Sequence, residues 1–135
     1  MRPDSTSPDN PHAWLRHARS DLFIAENILK ETLLEDHCFH AQQCVEKSLK
    51  ALCIQKQLRF PYTHDLAELA TLLFEQPETR PHWFQDAKRM TAYAVSGRYP
   101  GFDDPVSEEE WKKAVSIAKT VLDWATLHIG NEAQS

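Results

Sequence analysis

Five polar residues in the middle of the chain recur at spacings that place them along one side of an α-helix. They are His40, Gln43, Glu46, Lys47 and Lys50. Ammonium groups one and two turns past an amide can hold a phosphate, because lysine is a good point donor to phosphate oxygens. An ordinary solvated helix face with a favourable Glu46–Lys50 pair is the alternative interpretation.

An arginine and a histidine are separated by four residues in the motif Arg59-x4-His64. Cleavage of RNA without a metal needs a group that moves the 2′-hydroxyl proton and a cation that stabilises charge on phosphorus. Histidine suits the first role because it titrates near neutral pH, and arginine suits the second because its fork matches phosphate oxygens. The pair makes a metal-independent endoribonuclease a candidate activity. The alternative is that His64 merely opens a helix and that Arg59 is solvated.

Arg98 and Tyr99 precede a proline in a segment that no helical pattern covers. A basic and an aromatic side chain in a loop can contact a phosphate and a base of RNA. A simple turn with Tyr99 packed against the protein is the alternative.

His37, His40 and Cys44 recur at i, i+3 and i+7, as metal ligands on one helix face would. A zinc site also needs a fourth ligand or a water, with supporting partners, and the sequence supplies no recognisable group for these roles. Glycine-rich phosphate loops and the HExxH motif are missing as well. We therefore predict no metal site and no cofactor.

Apolar residues that recur every three to four positions predict five helices that would position these groups. Asn10, Thr63 and Ser107 are the expected N-caps of the first, third and last helices, and Gly97 is the expected end of the fourth. The predicted helices cover about residues 11–32, 37–57, 64–74, 80–97 and 108–129, with residues 33–36 as a short connection.

Three helices of about 20 residues with two shorter ones predict an all-α fold, an antiparallel up-and-down bundle of four to five helices. The length of 135 residues fits one domain, which we expect over residues 11–130, with disordered tails at 1–10 and 131–135. A content of 41% apolar and 26% charged residues is usual for a globular protein, and three glycines are few for an all-β fold.

Charge and apolar runs exclude several classes of protein. The net charge of −5 argues against non-specific coating of duplex nucleic acid, although residues 1–60 are balanced and leave room for a local positive patch. No apolar run approaches the roughly 20 residues of a membrane helix, and the N-terminus lacks a secretory apolar stretch, so we expect a cytoplasmic protein without a membrane partner. Three cysteines without a CxxC motif predict no disulfide framework.

The order of these segments resembles the HEPN domain family, small helical domains of prokaryotes and higher eukaryotes. The resemblance rests on WLRHARSDL (14–22), FHAQQCVEKSLKAL (39–52), THDL (63–66), Tyr93 and RYP (98–100), and it spans about residues 12–129. It implies a bundle of four or five helices that forms a homodimer. It also implies a partnership with a minimal nucleotidyltransferase encoded alongside, in an arrangement of the toxin–antitoxin type.

Some members of the family resemble metal-independent endoribonucleases with an Arg-x(4–6)-His motif late in the chain. Here no histidine follows Arg98 until His128, and Arg59-x4-His64 lies between the second and third predicted helices. The resemblance therefore favours a nucleotide- or RNA-binding module that acts with a nucleotidyltransferase, and the alternatives are an endoribonuclease using Arg59 and His64 and a purely structural protein-interaction module. The expected nucleotide or phosphate contacts are Gln43, Glu46, Lys47, Lys50, Arg98 and Tyr99.

Overall fold

The structure, a computed structural model, describes residues 8–95 and 105–130. The predictions for Gly97, Arg98 and Tyr99, and for the tails at 1–7 and 131–135, lie outside these residues. Two residues just before the first helix make contacts with it. The carbonyl of Pro8 accepts a hydrogen bond from Trp14 Nε1 at 2.8 Å, and Asn10 caps the first helix.

The described residues form six α-helices, one of them a single turn, and no strand. The helices are α1 (Pro11–Glu26), α2 (Leu34–Gln55), α3 (Leu66–Leu73), α4 (Phe84–Arg89), α5 (Ala92–Val95) and α6 (Glu108–Ile129), with a 3-10 turn at Pro77–Thr79 before α4. None of them combines the length and the apolar character that a membrane crossing requires.

Short polar side chains define where the helices begin. The Asn10 side chain accepts from the His12 amide at 2.9 Å, and the Ser107 hydroxyl accepts from the Glu110 amide at 3.0 Å, as predicted. The predicted cap of the third helix was wrong. Asp65 rather than Thr63 accepts from the Ala67 amide, so α3 begins two residues later than expected.

The first helix ends at Glu26 instead of continuing to about residue 32. Asn27 adopts extended backbone geometry, and the buried His37 ring donates from Nδ1 to the carbonyl of Ile24 at 2.8 Å. This bond satisfies a carbonyl near the end of α1 and holds the last turn of α1 against the start of α2. The second helix begins at Leu34, so residues 34–36 are helical rather than a connection.

The fourth predicted helix is broken into α4 and α5, and the 3-10 turn lies just before it. Near the break the Thr91 hydroxyl accepts from the Leu66 amide at 2.9 Å, which ties the segment to the start of α3. The amides of Tyr93 and Ala94 bond three residues back, so the helix tightens there instead of continuing as one α-helix.

The centre of the fold is α2, which packs against α1, α3, α5 and α6. Contacts between α1 and α2 run in opposite directions, because Ile24 meets His37 while Asp21 meets Lys47. The helices α2 and α6 run parallel, because residues in contact rise in sequence along both of them. Glu35 accepts from the Val106 amide, and Cys44 donates to the Ala118 carbonyl. The helical bundle predicted from the sequence is confirmed. In it α1 is antiparallel to α2, and α6 is parallel to α2.

Candidate functional site

A buried aspartate links the first two helices. The Asp21 carboxylate accepts from His40 Nδ1 at 2.9 Å and from the Lys47 ammonium at 2.6 Å. Asp21 is nearly buried, whereas His40 is 30% and Lys47 24% exposed. We call these three residues the Asp21 cluster. The antiparallel packing of α1 on α2 builds it, since His40 and Lys47 lie two turns apart and bracket the carboxylate.

A second buried carboxylate links α2 to the segment before α3. Glu46 accepts from the Lys50 ammonium at 3.1 Å and from His64 Nδ1 at 2.9 Å. The amides of Gln42 and Gln43 add weaker bonds at 3.3 and 3.5 Å. We call Glu46, Lys50 and His64 the Glu46 cluster. The Glu46 carboxylate can only accept a hydrogen bond, so His64 Nδ1 carries the proton that it donates. In the neutral His64 ring the other nitrogen, Nε2, is therefore the proton acceptor.

Two aromatic rings enclose the lysine of the Glu46 cluster. The Lys50 ammonium lies 5.7 Å from the ring centroids of both Trp14 and Phe60, and its side chain is only 8% exposed. These rings contact each other edge to face. A cation that is neutralised by Glu46 and covered by two rings has the surroundings of a structural ion pair.

Two cavities border the clusters. One of about 280 Å³ is lined by Pro8, Ala13, Trp14, His17 and Lys47. The Asp21 cluster therefore meets an open space through its lysine.

The other cavity has a volume of about 240 Å³. It is lined by Phe39, Gln43, His64 and Ala94, so it brings together one expected phosphate contact and the candidate catalytic histidine. The Glu46 cluster thus meets an open space through His64, which is 61% exposed.

The remaining predicted site residues have no described bond to either cluster. Arg59 is exposed in the segment between α2 and α3. Arg98 and Tyr99 lie outside the described residues. Of the expected phosphate contacts, the structure leaves Lys47 and Gln43 accessible, and it buries Glu46 and Lys50 as a pair.

The three residues considered as metal ligands have other partners. His37 bonds to the Ile24 carbonyl and to the Thr32 hydroxyl, and His40 bonds to Asp21. Burial raises the pKa of the Cys44 thiol to about 12, and the thiol donates to the Ala118 carbonyl. In the part of the chain that the structure describes, no group of three His, Cys, Asp or Glu side chains is placed to hold a metal ion.

Other thiols and one phenol are also held neutral. Burial raises the pKa of Cys38 to about 12 and that of Cys53 to about 11. Burial, with Cys38 and Glu110 nearby, raises the pKa of Tyr93 to about 12. None of these groups is an activated nucleophile at neutral pH, since nucleophilic thiols have depressed pKa values.

Sequence reasoning did not single out Asp21, Trp14 and His17 as members of a site. One signal pointed to Asp21. It stands three residues after Ala18 and four before Ala25, on the buried stripe of α1. A carboxylate at such a position needs a partner from another element, because burying an unpaired charge is costly.

Comparisons with known proteins decide the family. The family model of the HEPN domain matches residues 11–129. The chain belongs to the HEPN family. The crystal structure of ST0689, described as an archaeal HEPN homologue, has the same fold, with a TM-score of 0.71. That match covers 90% of this chain and 98% of the archaeal one at 24% identity, and it confirms the predicted all-α fold.

This HEPN chain also resembles a curated protein of Methanocaldococcus jannaschii, named "Putative toxin MJ1304". The two are 38% identical over 47 residues, which is 35% of this chain. The chain spans only 31% of the length of that relative.

Proposed function

We propose that this HEPN protein binds the phosphate of RNA or of a nucleotide through the Asp21 cluster, and that it acts in a toxin–antitoxin-type pair. The observation that carries the proposal is the Lys47 ammonium, which Asp21 fixes at the edge of an open cavity. An ammonium has three N–H donors, so its bond to Asp21 leaves two for phosphate oxygens. The exposed basic residues Arg16 and Arg19 on α1 add local positive charge.

Binding of single-stranded RNA tests this proposal. We expect fluorescence anisotropy of a labelled oligonucleotide to show saturable binding that weakens as salt rises, because phosphate contacts release counterions. Lys47→Ala should weaken binding about tenfold. Lys112→Ala is the matched control, since Lys112 pairs with Glu108 on the exposed face of α6, and it should bind like the wild type. Absence of wild-type binding at low salt would overturn the proposal.

The partner in the proposed pair is a minimal nucleotidyltransferase. Membership of the HEPN family and the likeness to a curated protein named as a toxin support this part. We expect expression of the HEPN chain alone to slow growth, and co-expression with a nucleotidyltransferase from a neighbouring reading frame to restore it. Normal growth at equal levels of the HEPN chain without the partner would contradict the pairing.

We propose that a second copy of the chain covers the exposed apolar groups near the α1–α2 connection. Phe23, Ile28, Leu29 and Leu33 are each at least 48% exposed. Apolar side chains gathered on a surface mark protein contacts. Sedimentation analysis should find a dimer of the wild type and a monomer of Leu29→Asp, and a monomeric wild type would refute this interface.

A second candidate function is metal-independent cleavage of RNA, and the bond between Glu46 and His64 favours it. His64 Nε2 would take the 2′-hydroxyl proton and the 2′ oxygen would attack phosphorus. The 5′ oxygen would leave with a proton from water as a 5′-hydroxyl, which yields a 2′,3′-cyclic phosphate. Arg59 would stabilise the developing charge. Incubation of RNA with excess chelator should then produce cyclic ends with the wild type but not with His64→Ala or Arg59→Ala. Equal cleavage by His64→Ala would eliminate this assignment.

If the chain dimerises but neither binds nor cleaves RNA, the remaining interpretation is a purely structural protein-interaction module.

A further inference from the structure

The cavity beside Lys47 is formed where the chain enters α1. The Trp14 indole N–H donates to the Pro8 carbonyl at 2.8 Å, which folds the residues before α1 back against its first turns. Ala13 contributes only a methyl group to the wall, so space remains between α1 and Lys47 on α2. The resulting cavity of about 280 Å³ is close to the lower limit for a small-molecule site.

The residues around this cavity combine planar rings with a single cation. Trp14 and His17 supply an indole and an imidazole, Pro8 and Ala13 supply apolar groups, and Lys47 supplies an ammonium. Within α1, all of which the structure describes, Arg16, His17 and Arg19 are exposed, and no acidic residue is exposed before Glu26. The cavity therefore suits a ligand with a flat, largely apolar body and one anionic group.

We infer that this cavity binds one nucleoside monophosphate unit, with its base against Trp14 and His17 and its phosphate on Lys47. Unpaired bases are recognised by stacking on aromatic side chains, and a neighbouring lysine fits the phosphate of the same unit. The unit has the same chemistry in a free nucleotide and in an unpaired residue of an RNA strand. The inference rests on the proposed phosphate contact of Lys47 and adds the base as the second recognised group.

Calorimetric titration of the full chain with AMP, ribose 5-phosphate and inorganic phosphate separates the two parts of the ligand. We expect AMP to bind about tenfold more tightly than ribose 5-phosphate, because stacking a base contributes free energy that the sugar phosphate lacks. Ala13→Leu fills the cavity without changing charge and should remove this difference. His17→Ala replaces an exposed ring and should reduce it, which keeps the test valid if Ala13→Leu folds poorly.

A parallel titration compares a short single-stranded RNA with the same strand carrying abasic residues. Preference for the base in AMP supports a free nucleotide as the source, and preference only in the strand supports RNA. Equal affinities of base-containing and base-free ligands in both series would overturn the base site while leaving the phosphate contact intact. No binding of any ligand, including RNA, would overturn the proposed function as well.

Discussion

The Asp21 cluster and the Glu46 cluster share one arrangement but expose different members to solvent. In each, a buried carboxylate accepts from histidine Nδ1 and from a lysine on α2. Lys47 is 24% exposed beside a cavity, whereas Lys50 is 8% exposed beside two aromatic rings. The two lysines are three positions apart on one helix, so burial rather than spacing separates the accessible lysine from the buried ion pair.

The largest expected effect comes from breaking the buried ion pair. Lys50→Met should lower the free energy of unfolding by about 3 kcal/mol, because it leaves the Glu46 carboxylate without its buried cation. Urea denaturation followed by circular dichroism measures this loss. The double variant Glu46→Gln/Lys50→Met removes both charges and should be more stable than Lys50→Met alone. A double variant that is less stable than Lys50→Met would contradict the assignment.

Alkaline pH should destabilise the fold because α2 buries three cysteine thiols in the core. Burial raises the pKa values of Cys38, Cys44 and Cys53 from 9.0 to about 12, 12 and 11. Below pH 9 the three thiols stay protonated in both the folded and the unfolded chain, so the free energy of unfolding keeps its full value. Between pH 9 and about 11 the unfolded chain loses them first, so stability falls by up to about 1.4 kcal/mol per pH unit for each thiol.

Urea denaturation at pH 8, 9 and 10 measures this decline. Cys53→Ala should make the slope of stability against pH shallower, because one thiol no longer titrates. A slope that is unchanged in this variant would show that other groups cause the decline.

Removing the carboxylate of the Asp21 cluster should affect stability less. Asp21→Asn should lower the free energy of unfolding by about 1.5 kcal/mol, because its two charge-assisted bonds go to partly exposed partners. The same variant should bind RNA about threefold more weakly, since Lys47 loses the charged partner that fixes it at the edge of the cavity. Denaturation and RNA anisotropy measure the two effects. Unchanged or tighter RNA binding by Asp21→Asn would contradict the role of the carboxylate in holding Lys47 at the cavity.

The smallest expected effect is that of the exposed histidine in the Glu46 cluster. His64 is 61% exposed, so His64→Ala should change the free energy of unfolding by less than about 1 kcal/mol. Denaturation of this variant beside Lys50→Met measures the contrast within one cluster. Equal losses in the two variants would place His64 among the structural partners of Glu46.

Local sequence signals predicted those helix boundaries that local contacts determine. The last predicted helix, about 108–129, agrees with α6 (Glu108–Ile129), because a capping serine directly precedes it and a regular apolar stripe runs along it. The first helix was predicted too long because Ile28 and Leu29 continue its apolar pattern. Both are exposed, and the contact from His37 to Ile24 that accompanies the end of α1 joins residues of different elements.

The same limit applies to the candidate site. Helical spacing correctly placed Gln43, Glu46, Lys47 and Lys50 on one helix, but it could not distinguish the two lysines. The burial of Lys50 depends on Trp14 and Phe60, which tertiary packing brings to it from other segments. The accessible position of Lys47 depends on Asp21 of α1 in the same way.

The most direct test of the different roles of the two clusters measures RNA affinity and unfolding free energy for Lys47→Met and Lys50→Met side by side. We expect Lys47→Met to bind about tenfold more weakly while its unfolding free energy changes by less than about 1 kcal/mol. Lys50→Met should be destabilised by about 3 kcal/mol and, below its unfolding transition, bind RNA like the wild type. Wild-type affinity in Lys47→Met, or an equal loss of affinity in both variants, would contradict the separation of roles.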